Sequence, residues 1–142
     1  MFLSIKNIPK VNWSSNESLN FKPKFSTSFF LIFGLTIFGL GEGLLILSTT
    51  GNSPWSVLAE GISLNSSLSI GAATFFVSVG VLFLWIFLKQ KPGLGTIFNI
   101  IVIAAMIDFT LNYFQPPSSL FTKYLLAVLS VILVGLGSGI YL

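Results

Sequence analysis

Long apolar stretches follow one another along most of the chain, and polar residues are concentrated before and between them. Residues 1–25 are rich in Ser, Asn and Lys, and they predict a polar N-terminal tail on the cytoplasmic side. Four windows of 19 residues, each with at most one charge, then follow: Phe29–Leu47, Ile70–Leu88, Thr96–Phe114 and Tyr124–Leu142. As a helix, each window is about 28 Å long, which is close to the thickness of a hydrocarbon core. The pattern therefore predicts an all-α, polytopic transmembrane helix bundle with four spans in a membrane domain over residues 26–142.

A short segment between the first two windows carries the signals of a helix that is too short to span a bilayer. Ser53 suits the N-cap, Pro54 suits the first helical position and Gly61 suits the exit. Trp55 suits the boundary between lipid and water. We expect a helix over residues 54–60 that lies at the interface or re-enters the protein, with Ser53, Pro54, Trp55 and Ser56 at its turn.

Composition and lysine placement agree with a membrane protein. Only 8% of the residues are charged, whereas a soluble domain has about 25%. Most lysines precede the first window or lie between the second and third: Lys6, Lys10, Lys22, Lys24, Lys89 and Lys91. Because positive residues favour the cytoplasmic side, this distribution predicts a multi-pass protein with both termini in the cytoplasm.

One sequence motif occurs twice. The run GLGEGLLI, with Gly39, Gly41 and Gly43, returns 96 residues later as GLGSGIYL, with Gly135, Gly137 and Gly139. Either the chain contains an internal duplication, or two helices have independently adopted the small-xxx-small spacing that lets membrane helices pack closely. We expect all six glycines to be helix-packing positions.

A true duplication has a topological consequence. Its unit holds three spans, so the second copy enters the membrane from the opposite side, as in the inverted repeats of many secondary transporters. The chain ends soon after the second glycine run, and we expect a homodimer or a missing second half to complete the arrangement.

Two carboxylates lie inside the apolar windows. Glu42 and Asp108 occupy nearly equivalent positions in their windows, so they are expected at a similar depth. An ionised side chain costs about 2.5–3.5 kcal/mol at the centre of a lipid-facing helix, which favours a position inside the protein. We expect an ion or substrate site formed by Asp108, Glu42, Asn112, Thr74 and Ser78. The alternative is that each acid is permanently protonated and donates a hydrogen bond between helices.

The sequence also argues against several functions. It has no Cys, His or Arg, so it lacks the residues that form the usual nucleophile–base pairs and the metal sites with His or Cys ligands. The lysines flank the membrane instead of forming a basic face with aromatic residues. We therefore expect no enzyme, no cofactor, no metal and no nucleic-acid partner; the lipid bilayer is the expected surrounding.

A set of short motifs resembles the YczE/YyaS/YitT-type family of bacterial membrane proteins. They are the first glycine run, Pro54-Trp55, Leu68-Ser69-Ile70-Gly71, Gly95-Thr96 and Asp108, and the resemblance extends from Leu31 to Leu142. It implies a location in the bacterial plasma (inner) membrane. Family members usually have an acid after the Pro-Trp pair, where this chain has Ser56, and they usually continue through a second, similar half.

The repeat, the short helix and the two acids together favour a transport function. We expect a transporter or permease subunit for a small solute of unknown identity, in a chain that stops early in its second repeat. The alternative is a non-transport scaffold or accessory protein for another membrane system, which would fit the scarcity of polar residues able to recognise a substrate.

Overall fold

The computed structural model of the protein describes residues 23–90 and 92–141, and this part of the chain is helical without strands. The helices are α1 (Phe25–Ser48), α2 (Pro54–Leu64), α3 (Ile70–Phe87), α4 (Leu94–Tyr113) and α5 (Leu120–Tyr141). The tail predicted over residues 1–25 lies outside the described residues up to residue 22. Its last residue, Phe25, already belongs to α1.

Three helices of the described part are long and apolar enough to cross a membrane, namely α1, α4 and α5. Helix α3 is apolar but shorter, with its apolar stretch over Ile70–Trp85, and its passage across the bilayer stays a prediction. Many large apolar side chains are exposed on the outside of the helices, including Phe83, Phe87 and Leu136. Such a surface is suited to lipid and not to water.

Helix α1 makes the most extensive contacts with other helices. It packs against α5 on one side and against α4 on the other, α4 packs against α3, and α3 packs against α2. The core lies between α1 and α4 and is formed by Leu35, Ile46, Ile103 and Ile107. The start of α2 lies beside the second half of α1, where Ser53 and Ser56 contact Glu42.

Glycines set the close approach of α1 to α4. A methyl group on Gly39 would lie 2.7 Å from Cβ of Met106, and one on Gly43 would lie 2.6 Å from Cβ of Thr110. Both distances are too short for real side chains, so the two helices approach this closely only because these positions lack one. Since residue numbers rise together on both helices along this contact, α1 and α4 run in the same direction.

Helix α5 packs on α1 in the opposite direction. Gly41, late in α1, lies against Ser130 in the first half of α5, whereas Gly34, early in α1, lies against Gly137 and Tyr141 near the end of α5. Residue numbers on one helix therefore fall as those on the other rise. The two copies of the glycine run are thus on antiparallel, directly contacting helices.

Among the described residues, Gly135 and Gly139 pack against no other helix, so their expected role as packing positions stays a prediction. Nothing in the described part of the chain lies within 4 Å of a methyl group built on either residue. They lie on the side of α5 that faces away from α1, because Gly137 between them faces Phe38.

Helix α2 is longer than its sequence signals predict. It continues through Gly61, the expected exit, and ends at Leu64. A glycine inside a helix costs only about 1 kcal/mol relative to alanine, so a single one does not have to end it. The end comes at Asn65, whose Nδ2 donates a hydrogen bond of 2.8 Å to the carbonyl oxygen of Gly61.

Candidate functional site

The first turn of α2 is fixed against a carboxylate of α1. Ser53 is the N-cap of α2, its Oγ accepts a hydrogen bond from the backbone N–H of Ser56, and Pro54 follows it in the first turn. The hydroxyls of Ser53 and Ser56 both donate to Oε2 of Glu42, over 3.2 Å and 2.8 Å. The carboxyl group of Glu42 therefore lies at the positive end of the α2 dipole, a position that stabilises negative charge.

Glu42 borders a cavity of about 220 Å³ between α1, α2, α3 and α4. Its volume would hold several water molecules or a small solute, but it is smaller than the pockets that bind drug-sized ligands. Polar residues on its wall are Glu42, Ser53, Ser56, Thr74, Ser78 and Asn99. The remaining wall is apolar and consists of Phe38, Trp55, Ile100, Ile103 and Ile107.

The hydroxyl groups contributed by α3 are oriented to accept rather than to donate. Oγ1 of Thr74 donates to the carbonyl oxygen of Ile70, and Oγ of Ser78 donates to the carbonyl oxygen of Thr74, each over 2.8 Å. A hydroxyl has a single proton, so these bonds leave only oxygen lone pairs for a molecule in the cavity. Thr74 and Ser78 are therefore oxygen ligands available on the α3 side of the cavity.

The electrostatics of the cavity are those of a single uncompensated carboxylate. Within residues 23–90 and 92–141, Oε1 of Glu42 has no hydrogen-bond partner. No Lys is among the lining residues, and the sequence contains no Arg or His. The described residues also contain no group of three or more His, Cys, Asp or Glu able to hold a metal ion. One carboxylate with neutral hydroxyl and amide oxygens suits a monovalent cation better than a divalent one.

The second intramembrane acid, Asp108, is engaged elsewhere. Its Oδ1 accepts a hydrogen bond of 2.8 Å from the backbone N–H of Gly71, and its Oδ2 accepts one of 2.6 Å from Oγ of Ser69. Ser69 Oγ in turn accepts from the N–H of Ala72. Asp108 on α4 thus satisfies free donors at the first turn of α3, which is a capping role across two helices.

The structure therefore divides the set of residues predicted as one site. Glu42, Thr74 and Ser78 line the same cavity, whereas Asp108 and Asn112 do not line it. Asn112 is exposed. Their positions in the apolar windows predicted a similar depth for the two acids. These positions do not indicate which neighbouring helix each acid faces.

Three lining residues were not part of the predicted ion site. Ser53 and Ser56 were assigned only to the turn before α2, and Asn99 was not singled out. Asn99 is a polar residue inside an apolar window, and that signal alone was sufficient to include it.

Comparison with known proteins supports the resemblance to the YczE and YyaS proteins. Residues 25–142 match the model of a family described as a family of unknown function, DUF6198. An uncharacterized protein of Haemophilus influenzae is 36% identical over 138 residues, which cover 97% of this chain and 62% of that protein. The uncharacterized membrane protein YczE of Bacillus subtilis is 29% identical over 115 residues, or 79% of this chain and 53% of YczE.

A third relative, the uncharacterized protein YyaS of Bacillus subtilis, is 31% identical over 113 residues, which are 77% of this chain and 56% of YyaS. The chain thus spans little more than half the length of the curated relatives it matches. No solved structure matches it.

Proposed function

We propose that this chain, which belongs to the DUF6198 family of unknown function, is part of a cation-coupled transporter for a small solute in the bacterial plasma membrane. The observation that carries the proposal is the carboxylate of Glu42 on the cavity wall. Its Oε2 is held by two serine hydroxyls, and Oε1 has no partner among the described residues. The relative YczE, which is named a membrane protein, supports a membrane protein, and the family description leaves the activity open.

The cation compensates the charge of Glu42 inside the membrane. An ionised carboxylate with no basic partner is expensive in apolar surroundings, and a bound monovalent cation or the ammonium group of a solute removes most of that penalty. Oε1 of Glu42, Oγ1 of Thr74 and Oγ of Ser78 are the oxygens that would receive it. The apolar wall formed by Phe38, Trp55 and the three isoleucines would then contact the remainder of a small solute.

Cation binding would also alter the position of α2. The link between α1 and α2 runs through Oε2 of Glu42, and a cation at Oε1 would draw on the negative charge of the same carboxylate. A cation competes with the two serine hydroxyls and with the α2 dipole for the carboxylate. Because the occupied and empty states differ in this contact, binding shifts the equilibrium between two positions of α2, which is the requirement for gating.

The first experiment measures cation binding in the purified protein. Thermal unfolding is followed in detergent at increasing NaCl, KCl or LiCl, with N-methylglucamine chloride keeping the ionic strength constant. A bound cation raises the Tm by mass action, and a concentration one hundred times Kd contributes about 2.7 kcal/mol. We expect one of the three cations to raise the Tm of the wild-type protein above its value in N-methylglucamine.

The matched variants are Glu42→Gln and Asp108→Asn, which each replace one intramembrane carboxylate by an amide of the same shape. Glu42→Gln should abolish the cation-dependent rise in Tm, and Asp108→Asn should keep it. Absence of a rise with every cation, or its persistence in Glu42→Gln, would contradict the cation site.

Flux separates transport from a scaffold role. The wild-type chain is reconstituted into proteoliposomes, and a gradient of the cation identified by the Tm measurements is applied across their membrane. Uptake of the radiolabelled cation is then compared with uptake by proteoliposomes that contain Glu42→Gln. Uptake that depends on Glu42 supports transport. Cation binding without uptake would instead favour the accessory role in another membrane system.

The proposed topology is the multi-pass arrangement with both termini in the cytoplasm. The distribution of lysines around the apolar windows supports it, together with the parallel run of α1 and α4 and the antiparallel run of α5. Reporter fusions after Ser48, Leu88 and Phe114 would test it. A reporter after Leu88 should be active in the cytoplasm, and the other two should be active outside.

A further inference from the structure

The contact between α1 and α5 is approximately symmetric, because each helix places one glycine against the other helix. On α1, a methyl group at Gly41 would lie 2.9 Å from Cγ2 of Val134 and 3.0 Å from the carbonyl oxygen of Ser130. On α5, a methyl group at Gly137 would lie 2.7 Å from the backbone nitrogen of Phe38 and 2.8 Å from the carbonyl oxygen of Gly34. One glycine of each helix is therefore inserted against the backbone of the other.

These two sets of contacts are related by the offset between the glycine runs. Adding 96 to residue numbers 34, 38 and 41 produces 130, 134 and 137, so each contact of Gly41 has an equivalent contact of Gly137 with the roles of the helices exchanged. An approximate two-fold axis between antiparallel helices generates this exchange. Any two antiparallel helices in contact produce such an exchange, so duplication is supported by the repeated glycine run itself and not by these contacts.

The correspondence fails on the other faces of the two helices. On α1, Gly39 and Gly43 are covered by α4. Their equivalents on α5, Gly135 and Gly139, have nothing described within 4 Å. The same face of α5 exposes Val128, Val131 and Ile132, which are all more than half exposed, at 61%, 64% and 52%. α5 thus presents a face with the spacing of a helix-packing surface, and no described helix covers it.

We propose that the face of α5 formed by Val128, Val131, Ile132, Gly135 and Gly139 docks a membrane helix equivalent to α4, supplied by a second repeat unit. The source is the additional polypeptide that the curated relatives have beyond the region matched here. That region is only 62%, 53% and 56% of the three relatives, so each has more than a third of its length outside it. A second set of helices on the scale of α2 to α4, which occupy residues 54–113, fits this length.

The second unit would not repeat the carboxylate site. Under the offset of 96 residues, Ser138 on α5 takes the place of Glu42 on α1, and its Oγ donates to the carbonyl oxygen of Val134. The complete assembly therefore has one acidic site and one neutral equivalent. The docking proposal itself does not depend on the proposed cation site.

The test compares the 142-residue chain with the full-length Haemophilus influenzae relative in native membranes. The photoreactive residue p-benzoylphenylalanine replaces Val131 in one protein and the aligned residue in the other. After irradiation, adducts are identified by mass spectrometry. We expect a crosslink within the relative to a peptide outside its matched region, and adducts with phospholipid alone in the 142-residue chain.

Every other result overturns the proposal. Adducts with phospholipid alone in the relative would mean that this face contacts lipid. An adduct of twice the chain mass in either protein would mean that a second copy covers it, and a crosslink to the matched region of the relative would mean that a known helix does. Two further positions verify that the proteins are folded: the probe in place of Val134 should crosslink to α1, and in place of the exposed Phe83 on α3 it should react with lipid.

Discussion

The hydroxyl of Ser56 donates a hydrogen bond of 2.8 Å to Oε2 of Glu42, and this bond connects the first turn of α2 to α1. Ser56 is only 3% exposed, so this bond is largely shielded from bulk water. Hydrogen bonds to charged groups contribute more to stability than those between neutral groups. The pair therefore determines how firmly α2 closes one side of the cavity.

Ser56→Ala should destabilise the folded protein by about 1.5–3 kcal/mol, because Glu42 loses its shortest hydrogen bond while it stays in the membrane domain. The measurement is thermal unfolding in detergent without added cation. Ser66→Ala is the control, since Ser66 is exposed just after α2, where its Oγ donates to the carbonyl oxygen of Ile62 and accepts from the backbone N–H of Leu68, with no charged partner. Equal losses for the two variants would show that the bond to Glu42 has no special weight.

Asp108 should behave as a structural residue. Asp108→Ala removes the acceptors of both Gly71 N–H and Ser69 Oγ and should cost about 1.5–3 kcal/mol or more. Asp108→Asn should cost clearly less, because the amide oxygen can still accept from Gly71 and the amide nitrogen can donate to Ser69. The decrease in Tm of each variant relative to the wild-type protein is compared with that of Asn112→Ala, which changes an exposed residue on the same helix. Similar losses for the Ala and Asn variants would mean that the negative charge itself is required.

Much of the helical arrangement could be predicted from the sequence because it depends on local physical rules. Apolar windows of membrane length produced α1, α4 and α5, and the Ser53-Pro54 pair marked the start of α2 within one residue. The glycine positions on α1 could be predicted as contacts as well, since small residues spaced by four lie on one side of a helix.

What could not be predicted depends on which helices become neighbours. Glu42 and Asp108 are alike in residue type and depth, yet Glu42 meets the start of α2 and Asp108 meets the start of α3. Likewise, Gly135 and Gly39 occupy equivalent positions in the repeat, but only Gly39 has a helix against it among the described residues. Residue pattern specifies the chemistry a helix face can offer, and the partner is decided by the three-dimensional arrangement of the chain.

Two glycines of α3 should respond in opposite ways to alanine. At Gly71, the added methyl group would overlap with the carbonyl oxygen of Ala104 and with the carboxyl group of Asp108, so Gly71→Ala should separate α3 from α4 and destabilise by about 1–3 kcal/mol. At Gly80, nothing lies within 4 Å, and Gly80→Ala should stabilise the helix by about 0.5–1 kcal/mol. Thermal unfolding of both variants checks this, and a loss of stability at Gly80 as large as that at Gly71 would mean that the contact with α4 is not what makes Gly71 necessary.

The contact between α1 and α5 can be tested by a double-mutant cycle at Gly41 and Val134. Gly41→Ala alone should destabilise by about 1–3 kcal/mol, because its methyl group would lie 2.9 Å from Cγ2 of Val134 and 3.0 Å from the carbonyl oxygen of Ser130. Val134→Ala alone should cost less, since Val134 is half-buried. In the double variant, removal of Cγ2 relieves the first overlap and leaves the second.

The loss in the double variant should therefore be smaller than the sum of the two single losses, by about 0.5–1.5 kcal/mol, at the lower end of the range of about 0.5–3 kcal/mol found for residues in direct contact. Unfolding free energies of the four proteins in the same detergent provide the cycle. Gly135→Ala with Val134→Ala is the matched control, because Gly135 lies beside Val134 in the sequence but faces open space, so those two changes should add. If the losses at Gly41 and Val134 also add, the two residues are not in contact, and the two-fold correspondence between α1 and α5 loses its support.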